Sequence, residues 1–127
     1  LYGTLFLRAS SAVGAKEELS NEDLAAFFDG AVAGVVQRGK AQLEDKTMLD
    51  ALMPASEAFG EAIASGDDTI AALEKAVAAA EAGREKTIPL VAKKGRASYL
   101  GDRSVGHPDP GATSTCLILK ALLETIK

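Results

Sequence analysis

Cysteine occurs once and tryptophan not at all in the 127 residues. A single cysteine excludes an internal disulfide framework and any multi-cysteine zinc site. Aromatics are scarce, with four Phe and two Tyr, whereas alanine occurs 24 times. That bias favours closely packed helices over sheet. An excess of positive charge is also missing: 14 Lys and Arg stand against 18 Asp and Glu, a net charge of −4. So acidic a chain does not suit a duplex-binding surface, and no nucleic-acid partner is expected. No apolar run approaches the ~20 residues that cross a bilayer, so no membrane partner is expected either. The opening LYGTLFLRAS is interrupted by Gly3, Thr4 and Arg8 and is too short for a signal peptide. These features predict a reducing, cytoplasmic setting.

What remains is enough apolar residue, 47% of the chain, for one core of ordinary globular character. Leu1, Leu5 and Ala9 recur at helical spacing with Tyr2 and Phe6 beside them, as in a helix already under way. An uncapped start predicts that chain precedes it, making residues 1–127 the C-terminal portion of one longer domain. Ser20 and Asp23 form a capping-box signal, followed by Leu24, Phe27, Phe28, Ala31, Val32, Val35 and Val36 on one face. Gly39 stands where a left-handed C-terminal residue belongs.

The polar stretch from Gly39 to Lys46 is expected to be a loop. A helix is expected from near Thr47, with Leu49, Leu52, Met53, Phe59 and Ile63 inward, Pro54 near its first turn or at a kink, and Gly66 at its end. Asp67 or Asp68 caps the next, where Ile70, Leu73, Val77 and Ala80 share a face. Pro89 kinks or divides the chain continuing through Leu90 and Val91. The last helix carries Pro110 or Ala112 in its first turn and Leu117, Ile118, Leu122 and Ile126 on one side. Cys116 reads as buried and inert. The architecture is all-α, most simply an antiparallel bundle.

Between Lys93 and Ser114 lies a long polar segment with Gly95, Gly101, Gly106 and Gly111, and long ordered loops of this kind are usually functional. Arg96 and Arg103 supply cations. Asp109-Pro110-Gly111 opens the last helix, whose N–H groups and dipole attract anions. Together these suggest a site for a phosphorylated ligand. Neither GxxxxGK[ST] nor GxGxxG after a strand is present, which disfavours the familiar nucleotide folds. The alternative is a tight interhelical loop, with Asp109 as a cap and the arginines in water. His107 is expected to fix loop geometry rather than catalyse, and Tyr99 and Leu100 to pin the loop to the bundle.

GRASYLGDRSVGHPDPGATS, residues 95–114, resembles the signature of the nucleotide-binding L subunit of dihydroxyacetone kinase, a domain that also ends single-chain dihydroxyacetone kinases. LYGTLFLRAS at the start and RGKAQLEDKTMLDAL at residues 38–52 agree with it. The resemblance implies an antiparallel barrel of eight helices with the N-terminal ones missing here. It implies a phosphotransferase that holds ADP or ATP with magnesium and passes a phosphoryl group to dihydroxyacetone on a K subunit. In the phosphotransferase-system branch, ADP stays bound and is rephosphorylated by a phosphohistidine-carrying M subunit; that branch is preferred.

The same resemblance implies nucleotide contacts at Gly39 (backbone), Met48 (adenine), Arg96, and Asp109, Pro110 and Gly111, with Thr47 beside them. The magnesium ligands belong to the missing N-terminal part, none being assigned here, and these residues alone would be inactive. The rival readings are a non-catalytic regulatory or binding module of the same fold, the corresponding domain of an ATP-dependent single-chain kinase, and last a kinase for another small substrate such as a fatty acid.

Overall fold

Five α-helices and one 3-10 segment make up the computed structural model, which describes residues 2–15 and 18–127 and, of Arg96, the backbone alone. Leu1 lies outside the described residues. The helices are α1 (Tyr2–Val13), α2 (Asn21–Gly39), α3 (Leu49–Ala64), α4 (Thr69–Lys86) and α5 (Pro110–Ile126), and the 3-10 segment is Arg96–Ser104. No strand occurs among the described residues, so the chain is all-α.

The starts of α2 and α4 obey their caps. The Ser20 side chain accepts from the Asp23 N–H at 3.1 Å, and the Asp23 carboxylate accepts from the Ser20 N–H at 3.0 Å, closing the box. Asp68, not Asp67, caps α4 by accepting from the Ala71 N–H at 2.8 Å. At the end of α3, Gly66 takes φ 91°, while the Asp67 N–H reaches the Ala62 carbonyl and the Gly66 N–H reaches Ile63, a Schellman closure. The helix after it stops at Lys86, ahead of Pro89.

Two expectations need correction, one at the end of α2 and one on the face of α5. Gly39 remains helical, and the left-handed residue that ends α2 is Lys40, φ 52°, whose N–H bonds the Val36 carbonyl. Pro54 lies near the first turn of α3, as its sixth residue. The Asp50 carbonyl four residues earlier therefore has no N–H from Pro54 to accept. It faces α4, where a β-carbon on Gly83 would lie only 2.0 Å from it. Lastly, Ala112, Thr115, Cys116, Leu119 and Leu123 form the buried face of α5, whereas Leu117, Ile118 and Ile126 are exposed. Small side chains let α5 approach α3 and α4 closely, so the inward face is set by fit rather than by bulk.

Two apolar clusters share the interior. One joins Phe28 of α2 to α3, α4 and α5 around the fully buried Phe59 and Leu73, with the Phe28 and Phe59 rings edge to face at 5.1 Å. The other joins Leu5 and Ala9 of α1 to Ala31 and Val35 of α2 and to Met48, Leu49 and Leu52. Tyr2 ties α1 to α5 through hydrogen bonds with Ser114 (2.6 Å) and Thr115 (3.2 Å). The second cluster thus underlies the place where the end of α2, the start of α3 and the start of α5 converge.

Candidate functional site

A cleft of about 900 Å³ opens at that convergence. Its lining includes Gly39, Met48, Asp109, Pro110 and Gly111, five of the six residues expected at the site, together with Thr47. Gly39, Thr47 and Met48 flank one loop, and Asp109–Gly111 come from far along the chain. Gly95 and Ala97, on either side of Arg96, line it as well; the Arg96 side chain is outside the described part of the structure. Arg38, Lys46 and Lys94 also lie in the lining, three basic residues not singled out by sequence. Arg103, Tyr99 and Leu100 are exposed on the 3-10 segment and do not line the cleft, so Tyr99 and Leu100 do not pin it.

Gly111 sets how closely α5 approaches α3. A β-carbon there would fall 3.3 Å from Met48 Cβ, 3.4 Å from the Met48 nitrogen and 3.1 Å from an Asp109 oxygen. Met48 is buried, and its backbone nitrogen faces this first turn. The N–H groups of this turn are engaged within the chain. Pro110 has no N–H, the Ala112 N–H donates to Asp109 Oδ2 at 2.8 Å, and the Gly111 N–H also serves that carboxylate. Asp109 thus serves as the internal cap of α5. The side chains of Arg38 and Lys94 add positive charge to the lining.

Asp109 is 5% exposed. Its N–H donates to Thr87 Oγ1 at 2.9 Å, and the Thr87 hydroxyl in turn donates to the Arg84 carbonyl at 2.6 Å. Thr87, fully buried, thereby joins the end of α4 to the start of α5. Burial pushes the Asp109 carboxyl above its ordinary 3.8, outweighing the lowering by the Ala112 amide and the Lys46 ammonium. A carboxyl raised by folding adds stability that is complete below its unfolded pKa and is lost as pH rises through the folded one. Asp109→Asn keeps a capping oxygen without that dependence. The melting temperature of the variant relative to the native chain should therefore climb as pH goes from below 3.8 towards neutrality. A difference that stays flat or falls would contradict the account.

The stretch between α2 and α3 is not a simple polar connector. Lys40, Glu44 and Lys46 all have positive φ (52°, 73° and 63°), conformations that cost a non-glycine residue roughly 1–2 kcal/mol each. Carboxylates hold the shape. Asp50 accepts from the Glu44 N–H at 2.6 Å and the Thr47 N–H at 2.9 Å, and Asp45 accepts from the Gln42 N–H at 3.1 Å. Asp45 and Lys46 are buried. Buried charge and left-handed backbone together mark a stretch shaped for a purpose.

His107 is exposed, and it enters the structure of the site through its carbonyl, which accepts from Lys46. Cys116 is buried, and burial raises its thiol pKa, in keeping with an inert packing role. Among the described residues no group of three or more His, Cys, Asp or Glu is placed to hold a metal ion. No helix among them is long and apolar enough to cross a membrane.

The DAK2 domain family matches residues 1–124. Over all 127 residues the chain is 43% identical to the "PEP-dependent dihydroxyacetone kinase, ADP-binding subunit DhaL" of Escherichia coli (strain K12), of which it covers 60%. It is 40% identical over 127 residues to "PEP-dependent dihydroxyacetone kinase 2, ADP-binding subunit DhaL" of Listeria innocua, covering 58%. It is 36% identical over 127 residues to "Triokinase/FMN cyclase" of Homo sapiens, covering 22%. The chain thus spans about 60% of the length of the bacterial relatives it matches.

Proposed function

Because the chain belongs to the DAK2 domain family, we propose that its cleft binds ADP or ATP as part of a dihydroxyacetone kinase. The observation that carries this reading is the convergence of Gly39 and Met48 with the sequence-remote Asp109–Gly111 on one cleft, with Arg38 and Lys94 in its lining. Met48 offers a polarisable thioether to an adenine face. Gly39 offers main chain without a side chain in the way. Arg96, between two residues of the lining, is the candidate partner for phosphate oxygens, where a guanidinium makes strong paired bonds.

Phosphoryl transfer asks for positioning and charge neutralisation more than for covalent chemistry by the protein. In the proposed reaction a hydroxyl oxygen of dihydroxyacetone, held by a K-type partner subunit, forms a bond to the terminal phosphorus. The bond from that phosphorus to the bridging oxygen breaks, ADP leaves with the electron pair, and the hydroxyl proton is released. No group of three or more His, Cys, Asp or Glu among the described residues is placed to hold magnesium. Greater identity to the PEP-dependent subunits than to the triokinase favours the branch in which bound ADP is rephosphorylated by an M-type subunit.

Calorimetric titration of ADP into the complete protein tests the reading. The expected result is one saturable site, weakened by about tenfold in Arg96→Ala, as for the loss of one charge-assisted hydrogen bond, with unchanged helicity. Absence of ADP binding by the native protein would overturn the assignment. Unaltered affinity in Arg96→Ala would remove that residue from the site.

A further inference from the structure

Lys46 is 2% exposed, although lysine is among the residues least often buried. Its ammonium donates to three main-chain carbonyls: Ser104 at 2.5 Å, His107 at 2.6 Å and Leu90 at 3.1 Å. An ammonium has three N–H donors, so these acceptors use all of them. The carbonyls belong to three different places: the turn after α4, the last residue of the 3-10 segment, and the turn entering α5. Around them the same stretches of chain are cross-tied. The Gly106 N–H reaches the Ile88 carbonyl at 2.7 Å, the Ala92 N–H reaches Ser104 Oγ at 2.9 Å, and the Lys93 N–H reaches the Asp45 carbonyl at 3.0 Å.

We propose that Lys46 is a positioning residue for the cleft: its ammonium fixes residues 88–97 and 104–111 against the 40–48 loop and thereby sets nucleotide affinity without touching the nucleotide. The proposal rests on reading the cleft as a nucleotide site. Lys46 lies in the lining, yet its donors are spent on carbonyls, so a phosphate could be engaged only by giving one of them up. Removing an ammonium from water is costly unless every donor finds an acceptor, and here every one does. The residue also sits at φ 63°, a conformation a lysine adopts only when its surroundings compel it. The two walls it joins carry Lys94, Gly95 and Ala97 on one side and Asp109, Pro110 and Gly111 on the other. Without the ammonium, three carbonyls would face one another with nothing between them, and the walls would separate.

The test uses Lys46→Gln and Lys46→Gly in the complete protein, with ADP affinity from calorimetry well below the melting temperature and amide hydrogen exchange without nucleotide. Glycine suits the left-handed backbone and empties the space between the carbonyls. Both variants should bind ADP roughly 10- to 100-fold more weakly, as for the loss of charged hydrogen bonds. Amides of residues 88–113 should exchange faster. In Lys46→Gly, n-propylammonium chloride should restore both properties, whereas tetramethylammonium chloride, which has no N–H, should restore neither.

Native affinity and native exchange in both variants would overturn the proposal. So would a lowered melting temperature with unchanged affinity, which is the mark of a purely stabilising role. Weaker binding with unchanged exchange would also overturn it, by making Lys46 a direct ligand. Should Lys46→Gly not fold, Lys46→Gln decides by the same two measurements. If the native protein binds no ADP, the nucleotide reading fails, while exchange over residues 88–113 still decides whether Lys46 orders the walls.

Discussion

Gly83→Ala should lower the stability of the chain by about 3 kcal/mol, a fall of roughly 10 °C in melting temperature. Helix propensity alone argues the other way, since alanine inside a helix is favoured over glycine by about 1 kcal/mol. Sterics decide the sign. The added β-carbon would lie 2.0 Å from the Asp50 carbonyl oxygen and 3.1 Å from its carbon. Both are backbone atoms, and no rotamer change can move them aside. Gly60 in α3 supplies the control, because nothing lies within 4 Å of its would-be β-carbon. Gly60→Ala should raise the melting temperature. Thermal unfolding followed by circular dichroism distinguishes the two, and a change of the same sign in both would refute the close approach of α3 and α4 at Gly83.

Gly111→Val is expected to weaken ADP binding about 10- to 100-fold while leaving the helical content intact. Its β-carbon already meets Met48 Cβ at 3.3 Å and the Asp109 carboxylate at 3.1 Å, and the branches of valine extend further. Either α5 moves away from Met48 or the methyls enter the cleft. Each outcome alters the wall on which the proposed adenine contact depends. Calorimetry on the complete protein, beside the circular dichroism spectrum, checks the expectation; native affinity would place the nucleotide away from this wall.

Much of the helical layout was legible because it is local. Ser20 with Asp23, and Gly66, act within a few residues, so spacing alone exposes their roles, and it narrows the cap of α4 to Asp67 or Asp68, of which the structure uses Asp68. The face of α5 was not legible in the same way. Leu117, Ile118 and Ile126 look like a core stripe by size, but Ala112, Thr115 and Cys116 give the closer fit against neighbours that the sequence of α5 does not mention. Gly39 misled for a similar reason: glycine is the usual left-handed residue, and here the chain turns one residue later, at Lys40.

The site divides along the same line. Family likeness pointed to Gly39, Met48 and Asp109–Gly111, and the fold brings these residues to one cleft. Lys46 was invisible, since a lysine between Asp45 and Thr47 in a polar stretch suggests a hydrated surface. Its acceptors lie 44, 58 and 61 residues further along the chain. They are main-chain oxygens, which every residue possesses and no side-chain pattern reveals. Arg38 and Lys94 were missed because basic residues at the ends of helices and in loops are ordinary; only the fold places them in one lining.

Carbonyl oxygens arrayed around a positive centre resemble the coordination shell of a potassium or ammonium ion. Here the centre is tethered to the chain by a methylene arm. A free ion would leave and return with the composition of the surrounding salt, and the junction would tighten or slacken accordingly. A tethered one needs no supply from solution and is already in place before any ligand arrives, so the shape of the cleft does not depend on the monovalent ions around it.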